Sequence, residues 1–341
     1  LKNLLGPLGF LLFSTSVMTT PAIAQGTDPR APVYGAELEG FEYAYPLNRF
    51  DFISQGEPQH MIYISVDPVE PNGKTVVLMH GKNFCAGTWE TTINALADAG
   101  YRVIAADQIG WCKSSKPLHY QYSFEQLANN THALLAQLQV KSAIIVGHST
   151  GGMLATRYAL MYPKETRDLV LVDPVGLEDW QAKGVPYPTI DQWYERDLKT
   201  SADRIRSYET DTYYGGKWDP SYEKWVQMLA GMYRGPGREA VAWNSALIYD
   251  MIFTQPVLYQ FSQIKPPTLL FVGDLDNTAI AKDLAPPEVR PTLGHYPVLG
   301  KAAASQIPHA DLIEYPDPGH APQIQDPARF NGDLIAWLKS H

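Results

Sequence analysis

Cysteine is nearly missing from this chain of 341 residues: there are two, Cys85 and Cys112. So few exclude a disulfide-stapled scaffold and are too few for a thiolate metal site. Charge is sparse too, at 18% of residues, and its balance is acidic, with a net charge of −9. No run of Lys and Arg occurs, which argues against nucleic acid and against a membrane-surface patch; the acidic balance reads as solubility. Glycine-rich phosphate loops and dinucleotide fingerprints are missing, so chemistry without a cofactor is expected. His119, His132, His295, His309 and His341 lack a helical i, i+4 pairing with an acidic ligand, and no metal site is expected.

What is present is the composition of a globular protein, with 45% hydrophobic residues. The length suits one large domain or two small ones and allows a sizeable core. At the N-terminus, Lys2 precedes an apolar stretch from Leu4 to Val17, followed by Met18 to Ala24. A basic start, a short apolar centre and an Ala-x-Ala end predict a signal peptide over residues 1–24, cut after Ala24. The run is short and broken by Gly6, Pro7 and Gly9, unlike a membrane anchor, and no later segment is apolar enough to span a bilayer. A periplasmic or secreted protein is expected, off the membrane once the leader is removed.

Strands are predicted over Tyr43 to Phe52 and Met61 to Val66, joined through Gln55-Gly56-Glu57-Pro58. Four short runs rich in β-branched residues follow: Thr75 to Met79, Arg102 to Ala106, Ala143 to Val146 and Leu169 to Val172. Helical stretches such as Trp89 to Ala99 and Phe124 to Leu138 separate them. This alternation predicts an α/β fold with a mostly parallel sheet covered on both faces. Thr268 to Val272 and Leu312 to Tyr315 supply two more strands, and Pro327 to Leu338 closes the chain as an amphipathic helix. Pro286 to Pro308 reads as a long irregular loop.

The stretch from 176 to 264 differs. It is helical and rich in aromatics, including Trp180, Trp193, Tyr213, Tyr214, Trp225 and Tyr233. Inserted between two core strands, it would sit over the crevice at their C-terminal ends. The expected organisation is therefore a core of residues 25–175 and 265–341 with a helical cap or lid over 176–264. More than half of its rings are expected to pack the cap's own small core.

Gly147-His148-Ser149-Thr150-Gly151 lies between the strand-like Ala143 to Val146 and the helix-like Met153 to Leu160. Strand, sharp turn with serine at its top, then helix is the order of a nucleophile elbow. The helix N-terminus and its free N–H groups favour negative charge beside Ser149. A serine hydroxyl needs an adjacent base oriented by a carboxylate. Candidates follow in the order Ser, Asp, His: Gly273-Asp274-Leu275-Asp276 after one strand, and Asp317-Pro318-Gly319-His320 after the next.

These motifs resemble the α/β-hydrolase fold superfamily, its serine esterase and lipase-like members with a helical cap, over nearly the whole mature chain. The resemblance implies Asp276 as the catalytic acid, with Asp274 its rival, and His320 as the general base. It implies an oxyanion hole from the backbone N–H groups of Thr150 and of Lys82, in the loop His80-Gly81-Lys82-Asn83-Phe84. The Lys82 side chain is expected to be solvated, and His80 and His148 to orient their loops. In Asp107-Gln108-Ile109-Gly110-Trp111-Cys112-Lys113-Ser114, Cys112 stands where the family has glycine. Cys85 and Cys112 fall in loops after neighbouring strands, where they either pair or are two small buried residues.

The expected function is hydrolysis of a carboxylic ester or lactone through an acyl-enzyme. Serine at the elbow argues against dehalogenases and epoxide hydrolases of this fold, which use Asp. Amide hydrolysis, carbon–carbon bond hydrolysis and cofactor-free haloperoxidase chemistry share the triad, and a binding protein on the same fold is the alternative of another class. An iminopeptidase would need a carboxylate pair in the cap; Glu195 with Asp197, or Glu209 with Asp211, are expected to be solvated helix faces instead. The aromatic cap suggests an uncharged or aromatic small-molecule substrate.

Overall fold

The computed structural model describes residues 31–341; the predicted leader, residues 1–24, lies outside them. Eight strands form one sheet: β1 Leu47–Ser54, β2 Glu57–Val66, β3 Thr75–Met79, β4 Arg102–Ala106, β5 Ala143–His148, β6 Thr166–Val172, β7 Thr268–Gly273 and β8 Ala310–Tyr315. Their order is β1-β2-β4-β3-β5-β6-β7-β8. β1 and β2 form an antiparallel hairpin, β2 meets β4 antiparallel, and every later pairing is parallel.

The helices are α1 Glu90–Asp98, α2 Phe124–Gln137, α3 Thr150–Met161, α4 Ile190–Asp197, α5 Ala202–Thr212, α6 Glu223–Arg234, α7 Arg238–Thr254, α8 Tyr296–Gln306, α9 Pro322–Gln325 and α10 Pro327–Ser340. Both faces of the central strands are covered. In β5 every residue is buried, with Ile144 and Val146 in one core and Ile145 in the other. That double burial explains why the parallel strands read as continuous apolar runs. α1 packs with α10, while α2 packs with α3 and α8 lies on β7 and β8.

The chain runs from β3 to β4 on one side and then crosses to β5 on the other, so the order reverses at β3. A crevice at such a point, outside the carboxyl ends of the strands, is where open α/β sheets bind ligands. The loops after β3, β5, β6, β7 and β8 all emerge there. α4 to α7 lie between β6 and β7, the stretch read from sequence as a helical insertion.

Three local readings are corrected. Residues 43–46 are not strand: the Tyr43 hydroxyl donates to Asp107 Oδ2 (2.7 Å) and the Tyr45 hydroxyl to Asn94 Oδ1 (2.7 Å), so side chains anchor this segment. The hairpin turn is Gln55-Gly56 alone, both at positive φ (53° and 84°), as a two-residue turn between twisted strands requires. The proline-dense stretch read as a loop contains α8, whose first turn carries Pro297. Proline costs nothing in a first turn, where its missing N–H would be unpaired.

Candidate active site

Ser149 stands between β5 and α3 with φ +56° and ψ −121°, a backbone state that residues with a Cβ rarely adopt. The flanking glycines make room for it. A Cβ on Gly147 would collide with the carbonyl of Gly151, and one on Gly151 with the carbonyl of Met79. The turn is tied to the next strand by Ser149 N–H donating to Val172 O (3.0 Å).

Three loops bring the polar groups together. Ser149 Oγ lies 2.8 Å from His320 Nε2, and His320 Nδ1 lies 2.6 Å from Asp276 Oδ2. The second carboxylate oxygen of Asp276 accepts from the backbone N–H of Thr278 (2.8 Å). All three residues are buried. Asp274 does not join them; it is partly exposed and near Lys301 and Glu314. The His320 loop is braced by His148, whose Nε2 is 2.7 Å from the His320 carbonyl. Burial holds the His148 imidazole well below its ordinary range, and His320 adds to the effect, so the ring is neutral and donates that bond.

The loop after β3 lies against the serine. A Cβ on Gly81 would come 3.0 Å from Ser149 Cβ and 3.0 Å from His148 Nδ1, so any larger residue would push against the serine and its neighbour. Among the described residues neither the Lys82 nor the Thr150 backbone N–H has a hydrogen-bond partner. His80 orients the loop: Nδ1 is 2.9 Å from Gly81 O, and Nε2 accepts from Gln108 N–H (3.2 Å). Trp111 Nε1 donates to Lys82 O (2.9 Å).

The Lys82 side chain differs from expectation. It is half-buried and partnered: Nζ donates to Ser245 Oγ (2.7 Å) and sits 3.7 Å above the Tyr249 ring. Burial pushes its ammonium down to about 8, against the pull of Asp197. Asp197 and Glu209 are buried, whereas Glu195 and Asp211 are exposed, so neither predicted pair places two carboxylates together.

Cys85 and Cys112 are joined as a disulfide, with Cα atoms 6.0 Å apart. Cys112 has φ +40°, the left-handed region that explains why glycine is usual there. The bond and Asp107 lock the loops after β3 and β4 to each other: Asp107 Oδ1 accepts from Ala86 N–H (2.7 Å) and Oδ2 from Lys113 N–H (3.0 Å).

Two site residues escaped the sequence reading. Asp173, fully buried at the end of β6, accepts from Gly273 N–H (2.7 Å) through Oδ1, while Oδ2 has no partner among the described residues. Burial raises its carboxyl well above the usual range, and the charge of the neighbouring Asp276 raises it further. A lone acid directly after an apolar strand was the available signal. Tyr213 covers His320, with ring centroids 4.6 Å apart; its carbonyl accepts from His320 N–H (2.8 Å) and its hydroxyl from Asn83 Nδ2 (3.1 Å). Nothing local in sequence marks that role.

Residues 74–327 match the family model of the alpha/beta hydrolase fold. The chain belongs to the α/β-hydrolase fold family. It is similar to a crystal structure described as a "probable hydrolytic enzyme" from Pseudomonas aeruginosa PAO1, with 64% identity, a TM-score of 0.89, and coverage of 90% of this chain and 98% of that one. Lipase 1 of Psychrobacter immobilis is 29% identical over 260 residues, 74% of this chain and 73% of that protein. The fold is shared with an esterase from Exiguobacterium antarcticum at 19% identity and a TM-score of 0.65, covering 82% and 96% of the two chains.

Proposed function

We propose that this α/β hydrolase is an exported serine hydrolase that cleaves a carboxylic ester or lactone through an acyl-enzyme. The hydrogen-bonded line from Ser149 Oγ through His320 to Asp276 carries the reading. Ser149 Oγ attacks the carbonyl carbon while His320 Nε2 takes its proton. Asp276 holds the imidazole in the tautomer with Nε2 free and stabilises the imidazolium. The developing oxyanion is met by the N–H groups of Lys82 and Thr150 at the positive end of α3. Collapse of the tetrahedral intermediate breaks the carbonyl–oxygen bond, and His320 returns the proton to the departing alkoxide. Water, deprotonated by His320, then attacks the acyl-enzyme, and the acid leaves as Ser149 regains its proton.

The similarity to a lipase supports ester chemistry over amide chemistry, as does the splitting of both candidate carboxylate pairs. Export rests on the leader-like residues 1–24, and the Cys85–Cys112 disulfide fits an oxidising compartment. The test is labelling by a fluorophosphonate probe alongside turnover of 4-nitrophenyl esters. Wild type is expected to label and to hydrolyse, and Ser149→Ala to lose label and about 10³-fold or more in kcat. Turnover that survives in Ser149→Ala or His320→Ala overturns the mechanism. Absence of both label and turnover in wild type favours a binding protein.

A further inference from the structure

A cavity of about 700 Å³ is lined by α4, α5, α6 and α7, by the loop after β3 and by the loop after β7. It adjoins the serine site. Lys82 and Asn83 in its wall follow Gly81, which lies against Ser149, and Asn277 follows Asp276. Its charge is lopsided: Lys82, Arg196, Arg204, Lys282 and Arg290 line it, against Asp197 and Asp283.

Two of these cations are matched. Arg196 donates to both oxygens of Asp283 (3.1 and 3.2 Å), and Lys82 faces Asp197. The other three are not matched by a lining carboxylate. Among the described residues they hydrogen-bond only to backbone carbonyls: Arg204 to Lys199, Lys282 to Asn277, and Arg290 to Asp283 and Ala285. Lys282 also feels Glu178, which is paired with Lys183, and, more weakly, Asp276, which does not line the cavity. A carbonyl accepts a hydrogen bond yet leaves the full positive charge in place. Arg204 and Arg290 are exposed and Lys282 is half-buried, so water screens each of them, but an anion entering the cavity meets three cations with no lining carboxylate of their own. Between them the lining is aromatic, with Trp193 stacked on Tyr249 (4.4 Å) and Tyr208 and Tyr233 beside them.

We propose that the substrate carries an oxyanionic group, a carboxylate or a phosphate, away from the bond that is cut. Arg204, Lys282 and Arg290 receive the anion, and the ring faces hold the organic body. The sequence suggests an uncharged or aromatic substrate; this proposal keeps the aromatic part and departs from the uncharged one, and it rests on the ester-hydrolase reading.

The experiment separates the two. Ser149→Ala protein is titrated calorimetrically with 4-nitrobenzoate, phenyl phosphate and uncharged 4-nitrobenzamide. At least one anion is expected to bind about tenfold tighter than the amide, and the two anions report which headgroup is preferred. The advantage shrinks toward unity at about 0.5 M salt and in an added Arg204→Met, Lys282→Met, Arg290→Met triple substitution. The salt series needs no substitution beyond Ser149→Ala, so a misfolded triple leaves the test intact. Equal or tighter binding of the amide overturns the proposal. Wild-type turnover of 4-nitrophenyl acetate and of 4-nitrophenyl hemiglutarate is measured in parallel. Anion preference in binding with no Ser149-dependent turnover keeps the anion site but defeats the hydrolase reading, and with it the claim that the bound anion belongs to a substrate.

Discussion

At the scale of single residues, the serine turn is held by space that only glycine leaves. A Cβ on Gly151 meets the carbonyls of both Met79 and His80, backbone atoms that cannot swing aside. Gly151→Ala is therefore expected to lower stability by about 2–4 kcal/mol in urea denaturation and to reduce ester turnover with it. Glu209, buried in α5, offers a pH test. Burial, reinforced by the charge of Glu223, pushes its carboxyl up to about 8. The folded state thus holds a proton that the unfolded chain releases near pH 4.3. Stability from this group is complete below that pH and falls as pH rises toward 8. Glu209→Gln should match wild type at pH 4 and exceed it at pH 8, by on the order of 2 kcal/mol, in melting curves taken across that range.

At the scale of elements, what counts is how loops at one edge of the sheet are fastened. Cys85–Cys112 closes a loop of 27 residues between the ends of β3 and β4. Chain-entropy reasoning assigns such a closure roughly 3–4 kcal/mol. The Cys85→Ala, Cys112→Ala double variant should melt about 5–10 °C lower than wild type, and reduction of wild type should do the same. Since the same loops carry Gly81 and Lys82, ester turnover should fall more than stability alone explains. Elements were legible in sequence where one rule dominated. β3, β4, β7 and the G-x-S-x-G turn were so, because buried parallel strands and strained turns permit few residues. α8 was missed because Pro297 looks the same in a loop and in a first helical turn.

At the scale of the molecule, the helical insertion and the sheet edge form one closed site. Ser149 is 4% exposed and His320 not at all, and the Tyr213 ring lies against His320, which makes Tyr213 the candidate barrier to substrate entry. After Tyr214 come Gly215 and Gly216, both at positive φ (59° and 77°), where the chain bends between α5 and α6. Tyr213→Ala should raise the second-order rate of Ser149 labelling by a small fluorophosphonate severalfold; an unchanged rate means that Tyr213 is not the barrier.

Local chemistry alone determined the order of strands and helices, the serine turn and the Ser, Asp, His series, because periodicity, glycine and loop position are short-range signals. Tertiary structure decided the rest. It chose Asp276 over Asp274, set Asp173 beside it, packed the Lys82 side chain against α7 and turned Tyr213 onto His320. Those contacts join residues 44 to 171 positions apart, and their energies depend on burial and on neighbouring charge, which exist only once the chain is folded.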